Sequence, residues 1–155
     1  MLFRLRPYQS EDAIAIATLF YETVHQVNHA HYTTEQLNVW APYGQDVGRW
    51  NEKLERNKTW VVENGKEIIG FGDLDETGYL DHLYVHYSYI RKGVGQLIVS
   101  QLEDEARTLG ITTVTTHASI TARPFFEARG YAVIHAQEVV REGISLKNYK
   151  MNKIL

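Results

Sequence analysis

A turn with two closely spaced glycines and an adjoining basic pair is the segment of this 155-residue chain best suited to bind phosphate. It runs from Ser88 to Gly95 as Ser-Tyr-Ile-Arg-Lys-Gly-Val-Gly, between a predicted strand and a predicted amphipathic helix. Gly93 and Gly95 let backbone N–H groups converge without obstruction by Cβ atoms. The helix dipole and the side chains of Arg91 and Lys92 add positive charge. The pattern favours a pyrophosphate ligand; the alternative is that the glycines only make a tight connection.

Two common phosphate-binding loops do not fit this turn. A dinucleotide-binding fingerprint needs a third glycine where this chain has Ile98, and it usually follows the first strand. A Walker A loop needs Gly-Lys followed by Ser or Thr, which the turn lacks. An enzyme that binds a nucleotide in some other way with the same turn stays open as an alternative.

Composition excludes several further classes. The chain has no cysteine, which removes disulfides, thiolate zinc sites and a cysteine nucleophile. Its 16 basic and 19 acidic residues provide no global basic excess for nucleic-acid binding. No apolar run approaches the roughly 18 residues of a membrane helix, and Arg4 interrupts the apolar stretch that a signal peptide requires. We therefore expect a cytoplasmic protein without a nucleic-acid or membrane partner.

Three histidines near the end of the first predicted helix could suggest a metal site. His25 and His29 are four residues apart and could chelate zinc with a third ligand, and His31 follows them. Gln26 rules out an HExxH motif. Surface histidines are the favoured interpretation, so no metal is predicted.

The elements that must position the turn follow in the order strand, helices, three strands, helix, strand, helix and a final hairpin. Helices are predicted over residues 10–28, 33–40 and 46–56, and the first buries a face made of Ile14, Ala17, Tyr21 and Val24. The strand over 79–86 should alternate, with Tyr79, Asp81, Leu83 and Val85 on one face and Leu80, His82, Tyr84 and His86 on the other.

The helix after the turn should bury one face and expose the opposite one. The buried face is predicted to contain Val94, Leu97, Ile98, Leu102, Ala106 and Leu109, while Glu103, Asp104 and Arg107 point away. Gly110 supplies its C-terminal stop. The order of elements predicts one α+β domain over residues 1–155 with a strand–helix–strand crossover in its second half.

Two motifs in register resemble those of the GNAT N-acetyltransferase family. The first combines Leu83-Tyr84-Val85, the turn over 91–95 and the helix that ends at Gly110. The second is the segment 118–131, Ala-Ser-Ile-Thr-Ala-Arg-Pro-Phe-Phe-Glu-Ala-Arg-Gly-Tyr. Within the family the chain is most similar to the small bacterial YafP-like branch, through residues 31–33, 37–41, 49–54 and 147–151.

The resemblance implies a fold and a donor. The fold is a central, mostly antiparallel sheet flanked by helices, in which the middle strands, at 83–85 and 114–117, splay apart. The donor is acetyl-CoA, with its pyrophosphate on backbone amides of the turn and its pantetheine arm along the first of these strands. The implied cofactor-binding residues are Leu83, Tyr84, Val85, Ile90, Arg91, Lys92, Gly93, Val94, Gly95, Gln96, Ala118, Ser119, Phe125 and Phe126.

Two departures from the family pattern affect the expected chemistry. The family often has Gln or Arg at the position of Ile90 and Gly at the position of Arg91. Ile90 still contributes its backbone amide. Phe126 occupies a position where many members carry the tyrosine assigned to protonating the leaving thiolate. Tyr149, Tyr131 or Tyr84 could replace that hydroxyl. Solvent could also protonate the leaving thiolate, because a thiol like that of free cysteine has a pKa of about 8.5.

An acceptor amine must lose a proton before it attacks, so a base within reach would help. Asp81 and His82 lie on the strand that leads to the thioester, one on each predicted face. Asp81 could be partly desolvated, with a raised pKa, or could pair with a neighbouring cation. His82 titrates in the useful range, but a solvated or hydrogen-bonded surface histidine is the favoured interpretation.

The resemblance therefore predicts acetyl transfer from acetyl-CoA to a primary amine by direct attack, with Asp81, His82 and Tyr149 as the catalytic candidates. A catalytically weak acyl-CoA-binding or regulatory module is the alternative that Phe126 suggests. The acceptor stays open, and the acidic balance of the chain favours a cationic small molecule. The edge of the final hairpin could pair with a second subunit to form a homodimer.

Overall fold

The computed structural model describes residues 2–155, which form a seven-stranded sheet and five α-helices. In chain order the elements are β1 (Arg4–Pro7), α1 (Ala13–Val27), α2 (Thr34–Trp40), α3 (Val47–Arg56), β2 (Lys58–Asn64), β3 (Glu67–Leu74), β4 (Tyr79–Val85), α4 (Val94–Thr108), β5 (Thr113–Ser119), α5 (Arg123–Ala128), β6 (Ala132–Arg141) and β7 (Ile144–Ile154). Single 3₁₀ turns precede α1, follow α1 and precede the α4 turn. None of the helices between residues 2 and 155 has both the length and the apolar composition needed to cross a membrane.

The sheet has the strand order β1-β2-β3-β4-β5-β7-β6. Every neighbouring pair is antiparallel except β4 and β5, which run parallel and are connected through α4. A tight turn at Asn64-Gly65 joins β2 to β3, with Gly65 in the left-handed region at φ 64°. The mixed α/β class and the predicted order of elements are confirmed.

Hydrophobic side chains cover both faces of the sheet. On one face α4 packs over β2–β5, and the buried core there includes Val62, Leu80, Ile98, Leu102, Val114 and Met151. On the other face α1, α2 and α3 cover a second core that includes Ile16, Phe20, Val24, Leu54, Val61 and Phe71. A Cβ at Gly70 or Gly72 would lie 2.7 Å from Val94 or Ile98, so these glycines let α4 approach β3 closely.

Two helix faces differ from the periodicity-based prediction. Ile14 is 68% exposed, because α1 instead turns Ile16, Phe20 and Val24 toward the sheet. In α4, Leu97 and Leu109 are exposed, whereas Glu103 is buried. The Glu103 carboxylate accepts hydrogen bonds from Tyr131 Oη at 2.8 Å and from Lys153 Nζ at 3.0 Å. Burial of a charge is tolerable when it is paired in this way, and a single helix cannot reveal the distant partners.

A β-bulge interrupts the alternation predicted for β4. Leu74 of β3 pairs with Leu80, but Asp73 pairs with His82, so Asp81 is an extra residue on β4. Leu80 therefore lies in the same core as Leu83 and Val85, on the α4 side of the sheet. The strict alternation predicted over residues 79–86 was wrong, and the bulge changes where Asp81 and His82 point.

Candidate active site

The two central strands separate after a short stretch of pairing. β4 and β5 are in parallel register at only two positions, Tyr79 with Thr115 and Leu80 with Thr116. Beyond Leu80, β4 stays paired with β3 as far as Val85, and β5 stays paired with β7 as far as Ser119. The splayed middle strands predicted from the resemblance are therefore present, and they leave a gap lined by backbone.

Backbone N–H groups of Leu83 and Val85 face this gap. Successive N–H groups of a strand point to opposite edges. His86 N donates to Ile69 O of β3 at 2.8 Å, and His82 N donates to the side chain of Asp73, also on β3, at 2.8 Å. The intervening amides at Leu83 and Val85 consequently point away from β3. They can pair with an extended ligand that lies between the strands as an additional strand would.

The turn before α4 is built to expose further amides at the end of the gap. Arg91 and Gly93 both adopt positive φ values, 61° and 87°, and Gly93 is the N-cap of α4 without contributing a capping side chain. The first N–H groups of a helix have no partner within it, and the first turn of α4 contains no acidic residue to compete for them. With Arg91, Lys92 and Gln96 exposed around these amides, the arrangement can bind a phosphate group.

Aromatic and basic side chains from α5 border the start of α4. A Cβ at Gly95 would lie 3.0 Å from the Phe125 ring, so Gly95 allows this close contact. The guanidinium of Arg129 stacks 4.2 Å from the centre of the Phe125 ring and donates to Gln96 Oε1 at 3.1 Å. Arg129, which sequence reasoning did not select, thus adds a third cation beside Arg91 and Lys92.

A cleft of about 770 Å³ lies on the side of the sheet covered by α1–α3. Its walls come from α3 and the loop before it, from the β6–β7 hairpin, from β4 and from the C-terminal end of β5. Asp81, His82 and Tyr84 of β4 line it together with Ser119 of β5. The cleft therefore reaches the separated strands from the face opposite α4.

His82 is held in the cleft by a buried aspartate. Its Nδ1 lies 2.9 Å from Asp73 Oδ1, and Asp73 is fully buried. Asn57 Nδ2 donates to the other carboxylate oxygen at 3.0 Å. A carboxylate can only accept, so Nδ1 carries the proton and the neutral ring keeps its lone pair on Nε2. The Trp50 ring, 5.0 Å away between centres, further restricts the imidazole.

Asp81 lies beside His82 but is engaged by a cation. Lys53 Nζ of α3 is 3.2 Å from Asp81 Oδ2, and the same oxygen is 3.8 Å from His82 Nδ1. The bulge places both residues in one cleft, although they are adjacent in sequence. Of the two alternatives for Asp81, the structure shows the ion pair.

The tyrosines near the site differ in their surroundings. Phe126 is buried in the core and contacts Tyr131, whose hydroxyl donates to Glu103. Burial raises the pKa of both Tyr131 and Tyr84 well above the usual range. Tyr149 pairs with the buried Ala118 across β5 and β7, and the neighbouring Arg123, whose guanidinium lies 4.5 Å from the centre of the Tyr149 ring, lowers its pKa. Tyr149 is thus the one of these three tyrosines whose environment favours proton donation.

The remaining predicted residues have structural partners. The Ser119 hydroxyl accepts from Ala122 N at 3.0 Å and from Asn28 Nδ2 at 3.3 Å. His25 Nε2 is hydrogen-bonded to Ala41 O at 2.8 Å, so this ring nitrogen is already engaged within the fold. Among residues 2–155, the acidic and histidine side chains with metal-like spacing are Asp73, Asp81 and His82.

Sequence reasoning missed the residues that support the predicted ones. Asp73 belongs to β3, Lys53 to α3 and Asn57 to the C-cap of α3, and none of them lies in the two motifs over residues 83–110 and 118–131. Asn148 of β7 lines the cleft opposite Ser119, and its side-chain oxygen is buried without a hydrogen-bond partner in the part of the chain that the structure describes. A polar residue on the predicted final strand was visible in the sequence, but its position in the cleft was not.

Comparison with known proteins agrees with this architecture. Residues 28–153 match the acetyltransferase (GNAT) domain. The chain is 32% identical to the uncharacterized N-acetyltransferase YafP of Escherichia coli strain K12 over 148 residues, covering 96% of this chain and 93% of the relative. The predicted resemblance to that branch is confirmed.

Solved structures show the same fold. A GCN5-related N-acetyltransferase from Rhodopseudomonas palustris superposes with a TM-score of 0.94 at 32% identity, covering 100% of this chain and 99% of that one. The PaiA N-acetyltransferase from Thermoplasma acidophilum, solved in complex with coenzyme A, gives a TM-score of 0.82 at 17% identity, with both chains covered completely.

Proposed function

The chain belongs to the GNAT N-acetyltransferase family, and on that premise we propose that it transfers the acetyl group of acetyl-CoA to a primary amine of a small molecule by direct attack. The observation that carries the proposal is the meeting of two features at the separated ends of β4 and β5. A backbone-lined gap opens toward α4, and a side-chain-lined cleft reaches the same strands from the opposite face. We also propose that residues 1–155 act as one domain, because a single sheet joins strands from both ends of the chain.

The donor occupies the backbone-lined gap. Amides from Arg91 to Gln96 hold the pyrophosphate, with Arg91, Lys92 and Arg129 supplying positive charge. The pantetheine arm runs along β4 and pairs with the free amides of Leu83 and Val85. One of these N–H groups donates to the thioester carbonyl and stabilises the negative charge that develops on its oxygen during attack.

His82 removes the proton from the acceptor amine, directly or through water. Its Nε2 is the acceptor atom, because Nδ1 is occupied by Asp73. The buried carboxylate of Asp73 then stabilises the imidazolium that forms, as an aspartate does beside a catalytic histidine. Asp81 is less suited to act as the base since its charge is already paired with Lys53.

The deprotonated nitrogen attacks the carbonyl carbon, and the carbon–sulfur bond breaks as the tetrahedral intermediate collapses. Tyr149 donates a proton to the departing thiolate, supported by its lowered pKa and by its position beside Ala118. Phe126 cannot do so, since it has no hydroxyl and packs in the core. The products are the N-acetyl amide and free CoA.

Two measurements test this proposal together. Thermal unfolding is followed with acetyl-CoA, CoA or NAD, and a hundredfold excess of a true ligand over its dissociation constant stabilises the fold by roughly 2.7 kcal/mol. Thiol release is then recorded with a panel of primary amines. We expect stabilisation by acetyl-CoA and CoA alone, with amine-dependent thiol release. Stabilisation without turnover by any amine would instead identify an acyl-CoA-binding module, and no response to acetyl-CoA would refute both.

A further inference from the structure

We propose that the acceptor is an amine that also carries an anionic group, a carboxylate or a phosphate, and that cations on two walls of the cleft bind this group. The inference rests on the proposed acetyl transfer and adds the chemical class of its acceptor. It is opposite to the expectation of a cationic acceptor drawn from the whole-chain charge.

The cleft and the whole chain have opposite charge balances. The chain contains 19 acidic and 16 basic residues. The residues that line the cleft include five lysines and arginines, namely Arg49, Lys53, Arg56, Arg141 and Lys147, and three carboxylates, namely Asp46, Glu52 and Asp81. A local excess of cations in a concave site attracts anions in spite of the negative net charge.

One carboxylate of the cleft is balanced by an ion pair, since Asp81 pairs with Lys53 at 3.2 Å. Asp46 is the N-cap of α3, where its carboxylate accepts from Arg49 N at 3.2 Å, but a neutral backbone donor does not balance its charge. Arg49, Arg56, Arg141 and Lys147 form no ion pair with any carboxylate in residues 2–155. These unpaired cations outnumber the two remaining carboxylates, Asp46 and Glu52, so the lining of the cleft has a net positive charge.

Three of these cations come from two walls of the cleft. Arg49 and Arg56 are seven residues apart, which places them on one face of α3, and that face lines the cleft. Arg141 ends β6, so the hairpin provides the facing wall. Lys147 of β7 also borders the cleft, but its Nζ lies 5.5 Å from the centre of the Tyr149 ring. Arginine is suited to this role because its guanidinium can bind a carboxylate or phosphate with two hydrogen bonds.

Arg141 extends its charge toward the floor of the cleft. Burial raises the pKa of Tyr79 to about 12, the negative charge of Asp81 contributes in the same direction, and Arg141 acts against both. Arg141 has the same opposing effect on the pKa of Tyr84. Because Arg141 acts on Tyr79 and Tyr84, which both belong to β4, its positive charge lies in the part of the cleft next to that strand.

The amine end of the acceptor has its own partner. Asn148 Oδ1 is buried without a hydrogen-bond partner among the described residues, and a buried polar atom of this kind is normally satisfied. Asn148 lies opposite Ser119 at the separated end of β5. An amine bound there can donate to Asn148 and give its other proton to His82, while the anionic group points toward the arginines at the mouth of the cleft.

The test compares amines that differ only in the anionic group. Thiol release is measured with the protein amino acids, with their carboxamides, with aminoalkyl phosphates and with linear polyamines. We expect kcat/KM for the best anionic amine to exceed that of its uncharged counterpart by about tenfold or more, as one charge-assisted contact provides. A carboxamide has a less basic amine, which favours its attack at neutral pH, so the comparison is biased against this expectation. Comparison of the amino acids with the aminoalkyl phosphates shows whether the cleft prefers a carboxylate or a phosphate.

Single variants connect the preference to the cleft. Arg141→Ala and Arg49→Ala should each reduce kcat/KM for the anionic amine about tenfold and leave its uncharged counterpart unchanged, whereas Arg107→Ala, on the exposed surface of α4, should change neither. Binding of the anionic amine to the CoA complex, measured by calorimetry, gives a second readout that does not need turnover. Best turnover with polyamines or uncharged amines, unaffected by Arg141→Ala, would overturn this inference and leave the acetyltransferase intact. Failure of every amine both to turn over and to bind would overturn the proposed function as well.

Discussion

The donor gap and the acceptor cleft approach the same strands, but they are made of different parts of the chain. The gap is lined by main-chain amides of β4 and of the α4 turn, with positive φ values at Arg91 and Gly93. The cleft is lined by side chains from α3, β4, β5 and the β6–β7 hairpin. A site made of backbone depends on the local conformation of one continuous segment, whereas a site made of side chains depends on how distant segments pack.

The difference indicates which part of the protein sets its specificity. Backbone amides bind any phosphate and pantetheine arm in the same way, so the gap suits a donor that is common to a whole family. The cleft can change its ligand by exchanging single side chains such as Arg141, which leaves the sheet intact. Substitutions in the cleft should therefore alter the acceptor and the rate, and substitutions in the turn should alter the donor affinity.

The largest effect is expected from removing the base in the cleft. His82→Ala should reduce kcat/KM by about 10²–10⁴-fold, the usual contribution of general-base catalysis. Steady-state thiol release with the preferred amine measures this loss. His135→Ala, an exposed histidine of β6, is the matched control and should retain wild-type rates. An unchanged kcat/KM in the His82 variant would assign the proton to water or to Asp81.

A smaller loss is expected when the support of His82 is weakened. Asp73→Asn keeps the shape of the buried side chain but removes its charge, and we expect a loss of about 10–100-fold in kcat. The unfolding free energy is measured in parallel, and a loss of stability with kcat unchanged would show that Asp73 is only structural.

The third effect concerns the proton given to the leaving thiolate. Tyr149 must be protonated to donate, so activity should fall as pH rises through its lowered pKa. Arg123→Ala removes the first cause of that lowering, and the alkaline limb should move to higher pH. Tyr149→Phe should remove the limb and reduce kcat by a few-fold. Arg123→Lys preserves the positive charge and serves as the control. If the alkaline limb were the same in all three variants, the leaving thiolate would take its proton from solvent and not from Tyr149.

The smallest effect on turnover is expected in the turn, where a pair of glycines at the two ends of α4 permits a matched comparison. Gly93 and Gly110 have φ values of 87° and 76°, and a Cβ at either would meet no atom within 4 Å. Alanine at either position should cost about 1–2 kcal/mol of unfolding free energy because of the left-handed backbone. Only Gly93→Ala should also weaken CoA binding, which calorimetry measures. Equal CoA affinity in the two variants would place the phosphates elsewhere.

The sequence was most informative where local rules decide the structure. The order of elements and the α4 turn depend on neighbouring residues, and the structure has them. The bulge at Asp81 depends on the register between β3 and β4, which no local pattern specifies. Glu103 is buried because Tyr131, just before β6, and Lys153 of β7 approach it from far along the chain.

The same reasoning explains the outcome at the candidate site. Glycines and a helix start predicted the turn, since these features are contiguous. Asp81 and His82 were selected from their position on β4. Their neighbours in the cleft are Asp73, Lys53 and Asn148, and these residues come close only when the sheet and α3 assemble. The charge of the cleft could not be obtained from the composition either, because five of the chain's cations gather there against three carboxylates.

Hydrogen–deuterium exchange with and without CoA tests most directly whether donor and acceptor bind on opposite sides of the separated strands. With CoA bound, the account predicts slower exchange at the amides of Leu83 and Val85 and from Arg91 to Gln96, and unchanged exchange over α3. Addition of the preferred amine to this complex should then slow exchange around α3 and the β6–β7 hairpin. Protection of α3 by CoA alone, with no change at Leu83, Val85 and the turn, would contradict the account.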